Sequence, residues 1–183
     1  MAKLIAWNLV SLDGYFEGEK PWDLEFHNKV WGPELQELSM QFGNDAASLI
    51  FGRRTYEGMA SYWKTAEPGP ITTFMNALPK LVASHTLKTA DWNNTRVTGD
   101  IGAAIRELKA GSQKNLYVFG SADLTHSLLQ EGLVDEIILC VVPLLMGKGT
   151  PLFKPGAPVE LSRLEARPLP NGGVILRYAV SHA

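Results

Sequence analysis

Cysteine is almost absent from this 183-residue chain: Cys140 is the only one. A lone thiol excludes an intramolecular disulfide framework and fits a reducing compartment. Lying within Ile137–Val142, it reads as a small buried hydrophobe. Histidine is sparse too. His27, His85, His126 and His182 stand apart, none with a second His or Cys at ligand spacing, so no metal site is expected. Long apolar runs are missing. The longest, Ile137–Met146, contains Pro143 and falls short of the ~20 residues a membrane helix needs. The apolar start of the chain soon reaches Asp13 and Gly14, as a strand would and a signal peptide would not. Neither sign of charge dominates, with 17 Lys plus Arg against 19 Asp plus Glu. No basic stripe offers itself to nucleic acid. Ser121 lacks the Gly-x-Ser-x-Gly elbow of a hydrolase, and Gly147–Thr150 lacks the upstream glycine of a P-loop. The expectation left is a cytoplasmic protein with a small-molecule substrate and no nucleic-acid, membrane or metal partner.

With 45% hydrophobic residues, residues 1–183 are enough for one domain with a substantial core. Lys3–Val10 reads as a strand buried on both faces, and Ser11–Lys29 as a long irregular loop. Pro33 opens a helix through about Gln41; Ser48–Phe51 is a strand ending at Gly52, and Arg53–Ala60 a helix weakened by Gly58. A helical piece over Ile71–Ala77 precedes strands at Lys80–Ala83 and Thr95–Thr98. Asp100 caps a helix through Ala110, with Ile101, Ile105 and Leu108 inward. Strands at Leu116–Phe119 and Glu136–Val142 flank a helix whose Leu124, Leu128 and Leu129 share a face and which Gly132 closes. Val159–Leu164 and Val174–Val180, with a turn at Asn171–Gly173, read as a terminal hairpin. Alternating strands and helices followed by a β-rich end predict an α/β fold. Its mainly parallel central sheet is flanked by helices and closed at one edge by a C-terminal antiparallel β-hairpin.

In such sheets ligands bind beyond the carboxyl ends of the strands. Leu116–Gln130 is a strand, a Gly120-Ser121 turn and a helix, a junction that aims free backbone N–H groups and a helix dipole at one spot. Gly52-Arg53-Arg54-Thr55-Tyr56-Glu57 repeats the arrangement with added cations and a hydroxyl. Taken singly, each junction supports either a phosphate site or an ordinary α/β connection.

Leu49–Glu57 resembles the strand-to-helix motif of dihydrofolate reductases and of the reductase domain of riboflavin biosynthesis enzymes. Ser11-Leu12-Asp13-Gly14 is similar to the segment after the first strand of the riboflavin-type reductases. Leu81-Val82-Ala83-Ser84, Val118-Phe119-Gly120-Ser121-Ala122 and Leu133–Glu136 with Pro143 and Gly147–Phe153 follow in matching order. The resemblance implies a dihydrofolate reductase-like fold and an NADPH-dependent oxidoreductase passing a hydride to a pterin- or pyrimidine-like heterocycle. It implies cofactor contacts from Gly52, Arg53, Thr55 and Tyr56, from Ser84 at the adenosine ribose, and from Gly120, Ser121, Ala122, Asp123 and Leu124 at the pyrophosphate. Asp13 and Gly14 would lie near nicotinamide and substrate, and a homodimer is expected.

Two positions depart from the family pattern. Pro21-Trp22-Asp23-Leu24 resembles a dihydrofolate reductase loop followed by an acid, but His27 stands at the acid's position. Glu25 can take the acid's role if the loop shifts, so Asp13 and Glu25 are the candidate catalytic groups. The lysine expected four residues before Ser11 is Trp7. Trp7 and Trp22 are candidate walls of a flat aromatic pocket, with His27 as a substrate contact or a surface residue. Missing both the acid and the lysine, the chain has a second expectation: a non-catalytic nucleotide- or pterin-binding protein of the same fold.

Overall fold

Strand β1, Leu4–Ser11, is buried at every position, as its lack of apolar–polar alternation predicts for a strand inside a parallel sheet. The computed structural model describes residues 1–181, so His182 lies outside the described residues. Around β1 an eight-stranded sheet forms from Ala46–Gly52 (β3), Lys80–Ala83 (β4), Thr95–Thr98 (β5), Asn115–Phe119 (β6), Glu136–Val142 (β7), Leu161–Pro168 (β9) and Val174–Val180 (β10). The order is β5-β4-β3-β6-β1-β7-β10-β9. The first six strands are parallel, and β10 and β9 add the antiparallel hairpin at the edge beside β7.

Helices cover both faces. Pro33–Asp45 (α1), Arg53–Trp63 (α2) and Pro70–Ala77 (α3) bury Leu35, Leu38, Phe42, Tyr56, Ala60 and Met75 against Ile5, Trp7, Leu49, Phe51 and Ile138. Ile101–Gly111 (α4) and Ala122–Gln130 (α5) bury Ile105, Leu128 and Leu129 against Leu4, Ala6, Ile50 and Val118. Each such aliphatic or aromatic side chain contributes roughly 1.5–3 kcal/mol on leaving water. Asp100 caps α4 by accepting from the Ala103 amide at 3.0 Å, and Gly132 closes α5 through a bond to the Leu129 carbonyl. Cys140 is fully buried, and burial pushes its thiol up to about 12, leaving it inert as a nucleophile.

The structure differs from expectation where long-range contacts override local pattern. The supposedly irregular Ser11–Lys29 contains a strand, Tyr15–Glu17 (β2), and a 3₁₀ turn at Glu25–Lys29. The partner of β2 is Thr150–Pro151 (β8), more than 130 positions away, so nothing local announces it. Helix α1 runs past Gln41 and through Gly43 to Asp45, because Gly43 lies directly under the Phe74 ring of α3. The penultimate strand is β9 at Leu161–Pro168, not Val159–Leu164; it is mostly exposed, and pairing with β10 fixes its register.

Candidate active site

The β1–β6 pairing ends at Trp7 and Phe119, and the chain turns away at Gly120. Beyond these strand ends opens a cavity of about 1380 Å³. Its walls come from β1 (Trp7, Asn8, Leu9), the 16–31 segment (Phe16, Trp22, His27), the β3–α2 junction (Gly52–Thr55) and the β6–α5 junction (Gly120–Leu124).

At one end the walls are mostly main chain. Gly120 and Ser121 both adopt left-handed backbone, φ 59° and 57°, and this double turn swings the chain into α5. At Gly120 a side chain is disfavoured twice: φ is positive, and a Cβ would sit a tight 3.3 Å from Thr55 Cγ2. The Ser121 hydroxyl does not cap its helix; it accepts from the Gly52 amide at 2.9 Å and ties the two junctions together. Neither α2 nor α5 has a side-chain cap. The first-turn N–H groups of both helices are therefore left for something else, and the two dipoles add positive potential to the same cavity. Arg53 pairs with Glu57 at 3.8 Å and Lys154 pairs with Asp123. Arg54 lines the cavity with no ion pair among the described residues. This end offers donors and cations, as a pyrophosphate requires.

The other end is built from side chains. Trp7 packs edge-on against Phe42, and Trp22 lies over α2 so closely that a Cβ at Gly58 would fall 1.7 Å from its ring. That contact explains a glycine inside α2. Trp22 itself has φ 66°, a strained backbone held by its N–H donating to Glu17 Oε1 at 2.5 Å. Asn8 and His27 also line the cavity, and each has a buried side-chain nitrogen, Nδ2 and Nε2, without a partner among the described residues. Burial lowers the His27 imidazole to about 4, with its bond to the Phe16 carbonyl opposing the shift, so the ring is neutral at pH 7.

The cavity thus gathers Trp7, Trp22, His27, Gly52, Arg53, Thr55, Gly120, Ser121, Ala122, Asp123 and Leu124. Four other candidates stand apart from it. Tyr56 is 3% exposed, and its hydroxyl accepts from the Trp92 amide, which makes it a core residue. Ser84 Oγ accepts from the Thr86 and Leu87 amides at 3.2 and 2.9 Å and shapes its own turn. Asp13 accepts from Ser11 Oγ (2.6 Å), Met146 N (3.1 Å) and Gly147 N (2.7 Å), bonds that hold its carboxyl down at about 2. It fastens the 146–147 turn to β1 and is a poor proton donor. Glu25 is exposed, because the 3₁₀ turn sends Phe26 and His27 inward. Among the wall residues, Arg54 and Lys154 had no role assigned from the sequence. Arg54 sits inside the very motif that carried the resemblance, whereas Lys154 belongs to the cavity only through its reach to Asp123. Among the described residues no group of three His, Cys, Asp or Glu could hold a metal ion, and no helix is long and apolar enough to cross a membrane.

Residues 2–175 match the family model of the RibD C-terminal domain. The chain belongs to this family. The family is reductase-type, and the chain carries its dihydrofolate reductase-like fold. A similar protein is the uncharacterized YyaP of Bacillus subtilis (strain 168), 26% identical over 79% of this chain and 76% of its own. YwjB of the same organism, also uncharacterized, is 25% identical over 82% of each chain. A pyrimidine reductase-like protein of Corynebacterium diphtheriae superposes with a TM-score of 0.71 at 15% identity, over all of this chain and 93% of its own. RibD of Acinetobacter baumannii gives the same TM-score at 16% identity, this chain spanning 59% of that one.

Proposed function

We propose that the protein is an NADPH-dependent reductase transferring a hydride to a small heterocyclic substrate. The observation that carries this reading is one cavity lined both by two helix N-termini without side-chain caps and by the aromatic walls Trp7 and Trp22. The division fits a dinucleotide whose pyrophosphate and nicotinamide need opposite surroundings. The amides of Arg53–Thr55 and Ala122–Leu124 hold the phosphates, and Arg54 supplies a cation. NADPH, when bound, supplies the hydride. Trp7 and Trp22 keep the acceptor ring flat and exclude water from it. His27 is neutral rather than an imidazolium at pH 7, so the proton completing the reduction comes from solvent. A soluble cytoplasmic homodimer is the expected setting.

A second reading, a nucleotide- or pterin-binding protein without catalysis, draws on the ion pairs. Three of the four carboxylates lining the cavity are ion-paired, Glu19 with Lys148, Glu57 with Arg53 and Asp123 with Lys154, while Glu17 accepts from the Trp22 amide. NADPH at well above micromolar concentration should raise Tm by several degrees. NADPH oxidation should then respond to a panel of dihydropterins and aminopyrimidines. No rise in Tm refutes the cofactor assignment, and a rise without turnover on any heterocycle favours the binder.

A further inference from the structure

Lys80 is buried with no carboxylate paired to it among the described residues. It opens β4 and is 2% exposed, a setting in which lysine is seldom found without an ion pair. Its Nζ donates to three main-chain carbonyls, those of Asn76 at 3.2 Å, Leu78 at 2.8 Å and Asn93 at 3.1 Å. The first two lie at the end of α3, so the negative pole of that helix faces the charge. Nζ also lies 4.3 Å from the centre of the Trp92 ring, a cation–π contact. Burial lowers the ammonium to about 8, which leaves it charged at pH 7. Desolvating an ammonium is costly, and an apolar side chain would fill the space without that cost. The charge instead gathers two segments, the end of α3 and the 92–93 stretch, onto one atom.

Trp92 carries this grip to the β3–α2 junction. Its indole Nε1 donates to Asn76 Oδ1 at 2.7 Å, and its main-chain N–H donates to the Tyr56 hydroxyl at 3.1 Å. Its ring centre lies 5.9 Å from that of Phe51 and 6.1 Å from that of Tyr56. Phe51 and Tyr56 bracket Gly52–Thr55, the four junction residues that line the cavity. Asn76 Nδ2 donates to the Trp63 carbonyl at 2.9 Å, so the far end of α2 is held by the same cluster. Helix α2 lacks a side-chain cap, and its first turn is located from behind by buried side chains that do not themselves line the cavity. We propose that Lys80 and Trp92 are positioning residues for the cofactor phosphates. Acting through Phe51 and Tyr56, they fix the first turn of α2 so that its free amides converge with those of α5. The phosphate rests on the reductase reading; the grip on the junction stands on the bonds just described.

Three variants test it. Lys80→Met keeps most of the volume and removes the charge, and Tyr56→Phe keeps the ring and cuts the bond to Trp92. Ile105→Ala opens a cavity under α4, outside the cluster. By calorimetry at pH 7, NADPH affinity should fall about tenfold in Lys80→Met and about threefold in Tyr56→Phe. In Ile105→Ala it should stay within about twofold although the protein melts lower. Without ligand, amide shifts in the first two variants should move at Gly52–Thr55 and hold at Ala122–Leu124. At saturation the pyrophosphate ³¹P resonances of bound NADPH should move too, which a loss of stability alone would not cause. Should Lys80→Met fail to fold, Tyr56→Phe decides. Unchanged NADPH affinity in the folded cluster variants, an equal loss in Ile105→Ala, or junction amides that do not move would each overturn the proposal. Junction amides that move in a protein to which NADPH does not bind uphold the grip of Lys80 and Trp92 and overturn the reductase reading instead.

Discussion

The two ends of the cavity are made of different material. The helix-terminus end is main chain: two strand–glycine–helix junctions, linked by the Ser121 bond to Gly52. The ring end is side chain: Trp7 and Asn8 from β1, Trp22 and His27 from a segment pinned by distant contacts. A main-chain site depends on backbone path and tolerates most side chains, so few positions can break it and those positions break it badly. A side-chain site is spread over many residues, each replaceable at modest cost and each able to change what is bound.

The largest effect should therefore fall on Gly120. Gly120→Val forces a β-branched residue to φ 59° against Thr55. It should cost roughly 2–4 kcal/mol in urea unfolding and lower NADPH affinity by more than tenfold. If affinity survives while stability drops, the turn is only a connection. Next comes the contrast between neighbouring arginines. Arg54→Ala should weaken NADPH about tenfold by calorimetry, whereas Arg53→Ala, whose cation is already shared with Glu57, should cost about threefold or less. The reverse ranking would move the phosphate toward Arg53. At the ring end, Gly58→Ala should displace Trp22 from α2, seen as a red-shifted tryptophan emission. Stability should change by less than about 1 kcal/mol, because better helix propensity offsets the lost contact.

Asp13 gives the smallest effect at neutral pH. Its carboxyl is held at about 2 against an ordinary 3.8, so the stability it contributes is complete above pH 4 and disappears as pH falls toward 2. Asp13→Asn should flatten that part of the stability curve and leave hydride transfer, where measurable, within a few-fold of wild type. A loss of turnover with binding intact would instead restore Asp13 to the chemistry.

The same division explains what the sequence disclosed. The sheet, the two-sided burial of β1, the Asp100 cap and the edge hairpin follow from runs of ten residues or fewer, and all are present. The helix-terminus end was legible for the same reason: each junction is contiguous. Tyr56 and Ser84 each lie in a matching segment, and each hydroxyl accepts from main-chain amides, Tyr56 from distant Trp92 and Ser84 from its own turn. The ring end was harder to read. Strand β2 needs β8, Trp22 needs Gly58, and the orphaned nitrogens of Asn8 and His27 emerge only once every other neighbour is in place. Asp13 looked catalytic because its motif resembled one, and only the turn at Met146–Gly147 revealed its structural bonds.

The most direct test follows backbone amides by NMR while NADPH is added. The largest shift changes should occur at Gly52–Thr55 and Gly120–Leu124 together, saturating at one dissociation constant. Shifts confined to other surfaces, or none at a concentration that saturates related reductases, would contradict the assignment of those helix ends to the cofactor.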